Sequence, residues 1–147
     1  MTKSRFERKY WVLLVLDAAN GKPLTPVQLQ KSIFLVGKKL EIPEKYYYAF
    51  KPYDYGPFCV DVYRDAELLE VDSLITIGYA SNLKWKIYSI TFTGTDMANK
   101  MKASLKENEA QKIKEIVDQV LQQDFRELVK GIYKEFPEFS VNSVFRG

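Results

Sequence analysis

The chain has 147 residues, 46% of them apolar and 28% charged, which is the size and mixture of one globular domain with its own core. Because it contains no histidine and only one cysteine, Ser-His and Cys-His catalysis, an internal disulfide and a structural zinc site are excluded. The net charge of +3 permits nucleic-acid binding without arguing for it.

The first predicted element is a helix over residues 6–19, apolar almost all round at residues 11–16, which is typical of a buried central helix. That apolar run is far shorter than the roughly 20 residues that cross a bilayer. The basic first residues are not followed by the apolar core of a signal peptide, and the lone Cys59 suits a reducing compartment. A cytoplasmic location is therefore expected.

Helix two has a strong start signal in the sequence. Thr25 has the features of an N-cap, Pro26 suits the first helical position, and Gln28 completes a capping box. The inner face of this helix is then predicted by an apolar stripe of helical spacing, formed by Leu29, Ile33, Val36 and Leu40.

A connector rich in tyrosine follows over residues 41–55, with a short β-like piece at residues 46–53. Gly56 and Pro57 are expected to open helix three, with Pro57 setting the first turn. The inner face of helix three is predicted by apolar residues three and four apart, namely Cys59, Val62, Ala66 and Leu69.

After Leu74 the apolar period changes to two, which predicts a β-hairpin of residues 74–80 and 84–92 joined by Ser81 and Asn82. Thr93 and Asp96 have capping-box spacing at the start of a fourth helix. A longer amphipathic helix is predicted over residues 109–123. In the last predicted helix, Asp124 and Glu127 have capping-box spacing at the start, and Pro137 marks the end.

This order of elements indicates a single α+β domain, with a winged-helix-like core at 1–98, a β-hairpin wing, and a C-terminal helical extension at 99–147. The stripe of the fifth helix is wide enough to need a partner surface, which is either the core or the same helix of a second chain in a homodimer. Its members are Ile113, Ile116, Val117, Val120 and Leu121.

Three blocks, at residues 29–40, 53–75 and 88–98, resemble the YwgA-like proteins and the SocA-like antitoxin group, which share the Panacea domain. The motifs that carry the resemblance are Leu29-Gln30-Lys31, Tyr55-Gly56-Pro57, Leu74-Ile75, and Ile90-Thr91 with Gly94. The resemblance implies a small cytoplasmic prokaryotic protein without a known catalytic centre. In the antitoxin branch such domains neutralise a partner protein, and some act as adaptors to a protease.

Duplex DNA is the alternative partner that a winged helix suggests, but helix three carries four carboxylates against Arg64 and would repel phosphates. A second route to DNA uses the wing, where two lysines flank a tryptophan, together with the basic N-terminal segment. The candidate contacts are Lys84, Trp85, Lys86, Arg8 and Lys9. A solvated hairpin with one packed aromatic ring is the simpler interpretation of the same wing residues.

Seven aromatic residues lie between Tyr46 and Phe58, more than a short connector usually buries, so some rings are expected to pack and others to lie exposed. Exposed rings suit the anchors of a protein interface and, less well, a stacking site for nucleobases. Tyr53, Tyr55 and Phe58 are the predicted anchors. A charged rim that orients a basic partner protein is predicted from Asp61, Arg64 and Asp65.

The sequence gives little sign of catalysis. Asp61 and Asp65 lie one turn apart on a face predicted to be exposed, a spacing that suits Mg²⁺ through water, but exposed carboxylates are usually only solvated. Cys59 is expected in the core. The sequence therefore predicts a non-catalytic interaction module without cofactor, antitoxin-like or adaptor-like, and the alternative is a DNA-binding transcriptional regulator.

Overall fold

The computed structural model describes residues 6–79 and 84–145. Within these residues the chain is α+β, with six helices and two small antiparallel hairpins. The helices are α1 (Lys9–Ala18), α2 (Pro26–Lys39), α3 (Val60–Val71), α4 (Phe92–Lys102), α5 (Glu109–Gln122) and α6 (Phe125–Glu135). The strands are β1 (Lys51–Tyr53), β2 (Gly56–Phe58), β3 (Ile75–Tyr79) and β4 (Lys86–Ile90). No helix in the described part of the chain has the length and apolarity that a membrane crossing needs.

Helix α1 is the centre of the core, as its sequence predicts. All six residues from Trp11 to Leu16 are buried, and α2, α3, α4 and α5 pack around them. The helix begins at Lys9 rather than at residue 6, and Phe6 instead packs its ring 4.8 Å from that of Trp11. A helix that is apolar all round is stable only when neighbours cover every face, and here they do.

Two of the three predicted capping boxes are present. The Thr25 hydroxyl accepts from the Gln28 N–H at 3.2 Å, and the Asp124 carboxylate accepts from the Glu127 N–H at 2.7 Å, each with the return bond. The prediction of Thr93 and Asp96 is wrong, because Thr91 caps α4.

The prediction that Gly56 and Pro57 open helix three is also wrong. They belong to β2, which pairs with β1 so that Pro52 lies opposite Pro57. Gly56 has a φ of +105°, a conformation that glycine adopts without strain at the end of a tight turn. Helix α3 begins only at Val60, with Cys59 at the N-cap, so Phe58 lies on a strand.

The second hairpin is present at the predicted place as β3 and β4, in a register that puts Ile75 opposite Ile90 and Tyr79 opposite Lys86. Leu24 extends it, because Leu24 and Tyr88 exchange two backbone hydrogen bonds of 2.9 Å. This pairing ties the hairpin to the segment between α1 and α2. The predicted turn at residues 81 and 82 lies outside the described residues.

The apolar stripe of α5 is covered by the chain itself. Ile113, Ile116, Val117 and Val120 are buried where α5 packs on α1 and α2. Helix α6 closes a second small cluster, in which the rings of Phe136 and Phe139 lie 5.1 and 4.8 Å from the ring of Phe34. The stripe therefore no longer argues for a homodimer through α5.

Candidate interaction surface

A largely apolar cavity of about 510 Å³ lies between the start of α2, the start of α6 and the residues just before β4. Its walls include Val27 and Leu128 and the half-exposed rings of Trp85 and Phe125, which are 49% and 41% exposed. We call this cavity the aromatic groove. The sequence predicts a role for Trp85 only as a candidate contact to nucleic acid, and it predicts none for Phe125. The signal that points to Phe125 is its position directly after the N-cap Asp124, because the start of a helix is usually exposed.

The predicted anchors extend the aromatic groove along the first hairpin. The ring of Tyr55 lies 5.2 Å from that of Phe125, and the ring of Tyr53 lies 5.2 Å from that of Phe58. Tyr53 and Tyr55 are exposed and Phe58 is half-buried, whereas Tyr48 is buried in the core. The tyrosine-rich connector thus divides into packed and exposed rings, as expected.

Asp65, predicted to be part of an exposed charged rim, is in fact only 5% exposed. Its carboxylate accepts from the Arg8 guanidinium at 2.8 and 3.2 Å and from the Tyr48 hydroxyl at 2.5 Å. The hydrogen bond to Asp65 raises the pKa of Arg8, and burial followed by the same carboxylate raises the pKa of Tyr48. Asp65 is therefore a structural residue that attaches α3 to the segment before α1.

The acidic character of α3 is largely compensated within the chain. Asp61 lies 3.3 Å from Arg64 and 3.7 Å from Arg8, and Asp72 lies 3.4 Å from the ammonium of Lys9. Two of the predicted nucleic-acid contacts, Arg8 and Lys9, are thus engaged by carboxylates of α3 and its C-cap. Asp61 and Asp65, whose spacing suits Mg²⁺, instead share the guanidinium of Arg8.

The three candidate residues of the predicted wing separate into two groups. Lys84 and Lys86 are exposed, as a contact with phosphate requires. The side chain of Trp85, which lies between them in the sequence, instead lines the aromatic groove. The structure therefore brings Trp85 together with the predicted protein-binding residue Tyr55, through Phe125, rather than with Arg8 and Lys9.

The first two motifs of the family resemblance contact each other and hold the first hairpin on α2. The Gln30 amide exchanges hydrogen bonds of 2.8 and 3.1 Å with the backbone of Cys59. The buried Lys31 ammonium donates to the Pro57 carbonyl at 3.0 Å. Burial lowers the pKa of Lys31 to about 8.

The other two motifs form a second structural contact, where α4 approaches the start of β3. The Thr91 hydroxyl donates to the Leu74 carbonyl at 3.0 Å and accepts from the Gly94 N–H at 2.9 Å. A Cβ atom at Gly94 would lie only 2.0 Å from the Leu74 oxygen, so glycine is required there. The motifs are explained by the architecture, and a specific function has to be sought in other residues.

The described residues contain no group of three or more His, Cys, Asp or Glu side chains that could hold a metal ion. Cys59 is buried, with its backbone bonded to Gln30. No protein-family model matches the chain, and no curated protein is significantly similar to it. The likeness to the YwgA-like and SocA-like proteins therefore stays a prediction.

Proposed function

We propose that the protein is a non-catalytic interaction module that holds an apolar segment of a partner protein in the aromatic groove. The observation that carries this proposal is the cavity of about 510 Å³ between the exposed rings of Trp85 and Phe125, which Tyr55 extends. Single exposed aromatic residues are common on protein surfaces, whereas several rings around one apolar cavity are typical of binding sites.

The chemistry of the walls favours an apolar segment over an anion. Two helix N-termini border the groove, but their caps, Thr25 and Asp124, already accept from backbone N–H groups, and Pro26 has no N–H to offer. Asp124 adds a negative charge at one edge. Exposed aromatic rings around an apolar cavity bind apolar side chains best.

The charged rim is not part of the proposal, because its members are engaged within the chain. Asp65 is buried against Arg8, and Asp61 contacts both Arg8 and Arg64. A basic partner therefore has no special support from α3. Tyr53, Tyr55 and Phe58 keep their proposed role as the flank of the groove.

A winged-helix relationship is supported by the order of the elements and by the pairing of Leu24 with Tyr88, which attaches the wing to the helices. The resemblance to the SocA-like antitoxins implies that the partner is a toxin to be neutralised or a client to be delivered to a protease. Neutralising a toxin and delivering a client both require a binding surface such as the aromatic groove, and neither requires a catalytic residue. A prokaryotic cytoplasmic setting belongs to the same proposal.

The competing proposal is a regulator that binds duplex DNA by its wing, and the exposed side chains of Lys84 and Lys86 support it. Such binding would weaken steeply with salt and would be lost in a Lys84→Ala/Lys86→Ala variant. The pairing of Arg8 and Lys9 with carboxylates removes two of the cations that this proposal needs.

The two proposals are separated by capturing partners of the tagged protein from its native host, with and without nuclease. We expect to capture one protein in stoichiometric amount, with or without nuclease, and we expect it to bind the purified chain directly. The Trp85→Ala and Phe125→Ala variants are expected not to capture it. The matched control is Phe92→Ala, since Phe92 is 95% exposed and does not line the groove. Nucleic acid recovered instead, with loss in the lysine variant, would favour the regulator.

A further inference from the structure

Helix α3 presents an outward face that no part of the described chain covers. Val60, Arg64, Glu67 and Val71 follow one another at spacings of four, three and four residues, so they lie along one line of the helix. All four are exposed, with Val71 80% exposed. We call this line the outer stripe. It shares no residue with the aromatic groove.

The chemical order along the outer stripe is apolar, cationic, anionic, apolar. An antiparallel copy of the same helix, related by a two-fold axis between Arg64 and Glu67, presents these four residues in reverse order. Val60 then meets Val71 of the second copy, and Arg64 meets its Glu67, twice by symmetry. A surface of this kind is self-complementary, which is the condition for an isologous dimer.

We propose that the outer stripe binds a second copy of this chain, with the two α3 helices antiparallel. Three features of the stripe fit this occupant: two exposed valines at the ends, opposite charges at the centre, and Leu68, which is also exposed, at its flank. The guanidinium of Arg64 contacts Asp61 at 3.3 Å, but its five donors can serve a second carboxylate as well.

Other occupants fit the outer stripe less well. A phosphate backbone would meet Glu67 at its centre together with the carboxylate of Asp61 beside it. A partner of a single charge would be repelled by either Arg64 or Glu67. The alternating pattern favours a surface with the same two charges in the opposite order, and the chain itself supplies one.

The size of the stripe sets the strength of the association. Helix α3 has 12 residues and is therefore about 18 Å long. One helix pair of this length buries less than the roughly 1,600 Å² of a standard stable interface. We accordingly expect a reversible dimer with a dissociation constant in the micromolar to millimolar range, about 1 μM to 1 mM.

Sedimentation of the full chain over concentrations up to about 1 mM tests the proposal. The wild type is expected to dimerise, and Arg64→Glu or Glu67→Arg alone is expected to raise the dissociation constant by about tenfold or more, because both symmetric contacts become repulsive. An equal mixture of the two variant chains restores opposite charges at both contacts. It is therefore expected to form a heterodimer of about the wild-type strength.

The matched control is Lys130→Glu, which changes the net charge as Arg64→Glu does but is exposed on a different helix, α6. Circular dichroism establishes that each variant is folded. A wild type that stays monomeric up to about 1 mM would overturn the proposal. A dimer that the single variants do not weaken, or that Lys130→Glu weakens equally, would overturn it as well.

Discussion

At the scale of single residues, the buried carboxylate of Asp65 has the largest structural role of any charged group in α3. It bonds Arg8 and Tyr48, which are 57 and 17 residues away along the chain. When one partner of a buried ion pair is removed, the remaining polar groups stay buried without a partner. This destabilises the folded state far more than the loss of an exposed pair does.

We therefore expect Asp65→Asn to lower the free energy of unfolding by about 2 kcal/mol, after allowance for the partial exposure of Arg8. Asp61→Asn, on the same helix but with a half-exposed carboxylate, is the control and is expected to change it by less than about 0.5 kcal/mol. Urea unfolding of the three proteins measures both values. Equal effects of the two substitutions would show that Asp65 is not the structural residue described.

The buried ammonium of Lys31 gives a pH dependence of known sign. Its pKa is about 8 in the folded chain and 10.5 for a free lysine, so between these values the unfolded chain holds a proton that the folded chain has released. Stability then rises with pH across this window, by up to about 3 kcal/mol from this group. Lys31→Met is expected to lack this rise.

The measurement is the difference in urea midpoint between wild type and Lys31→Met at a pH below 8 and again near pH 10. Comparing the two proteins cancels the contributions of the other lysines and of the tyrosines to the pH dependence, because these groups are present in both. A difference that is constant with pH would mean that Lys31 is not buried as its contact with Pro57 indicates.

At the scale of elements, glycine positions decide how closely helices approach their neighbours. Gly94 of α4 lies against the Leu74 carbonyl, where a Cβ atom would be 2.0 Å from oxygen. Gly131 of α6 has only a side-chain nitrogen of Gln123, at 4.0 Å, near the corresponding position. The same substitution is therefore expected to have opposite effects in the two helices.

We expect Gly94→Ala to lower the free energy of unfolding by about 3 kcal/mol or more, because backbone has to move to admit the methyl group. Gly131→Ala is expected to raise it by about 0.5–1 kcal/mol, since alanine orders a helix interior better than glycine does. Thermal or urea unfolding measures both. A neutral Gly94→Ala would contradict the close contact between α4 and Leu74.

Elements whose signals are local could be predicted from the sequence. The caps Thr25 and Asp124 depend on residues three positions away, and both predictions are confirmed. The preference of proline for the first helical position predicts a helix start at Gly56 and Pro57, but their pairing with Tyr53 and Pro52 makes them a strand. That pairing is just as local, with Tyr53 opposite Gly56, but Asp54-Tyr55 between them is not one of the dipeptides that mark a two-residue hairpin turn.

The candidate site was predictable to a smaller extent. The density of aromatic residues correctly predicts that Tyr53 and Tyr55 are exposed, whereas the prediction of an exposed Asp65 is wrong. Helical spacing shows that two residues share a face but not which face is covered, and here Arg8 covers it from a distant segment. Phe125 reaches Tyr55 only through the fold of the whole chain, 70 residues apart in sequence.

At the scale of the whole molecule, the two proposed binding surfaces lie on different elements of the described chain. The aromatic groove is formed by α2, α6 and the approach to β4, and the outer stripe lies on α3 alone. Because the two share no residue, loss of one activity is expected to leave the other unchanged. A Trp85→Ala variant should therefore associate with itself like the wild type in sedimentation, and a change in its dimerisation would show that the two surfaces are coupled.

The central claim is that the aromatic groove contacts a partner protein, and site-specific photocrosslinking in the native host tests it most directly. A photoreactive phenylalanine analogue at position 125 is predicted to give one crosslinked protein of defined mass, and the same analogue at the more exposed position 92 is predicted to give none. Crosslinks of equal pattern at both positions, or to nucleic acid at position 125, would contradict the account.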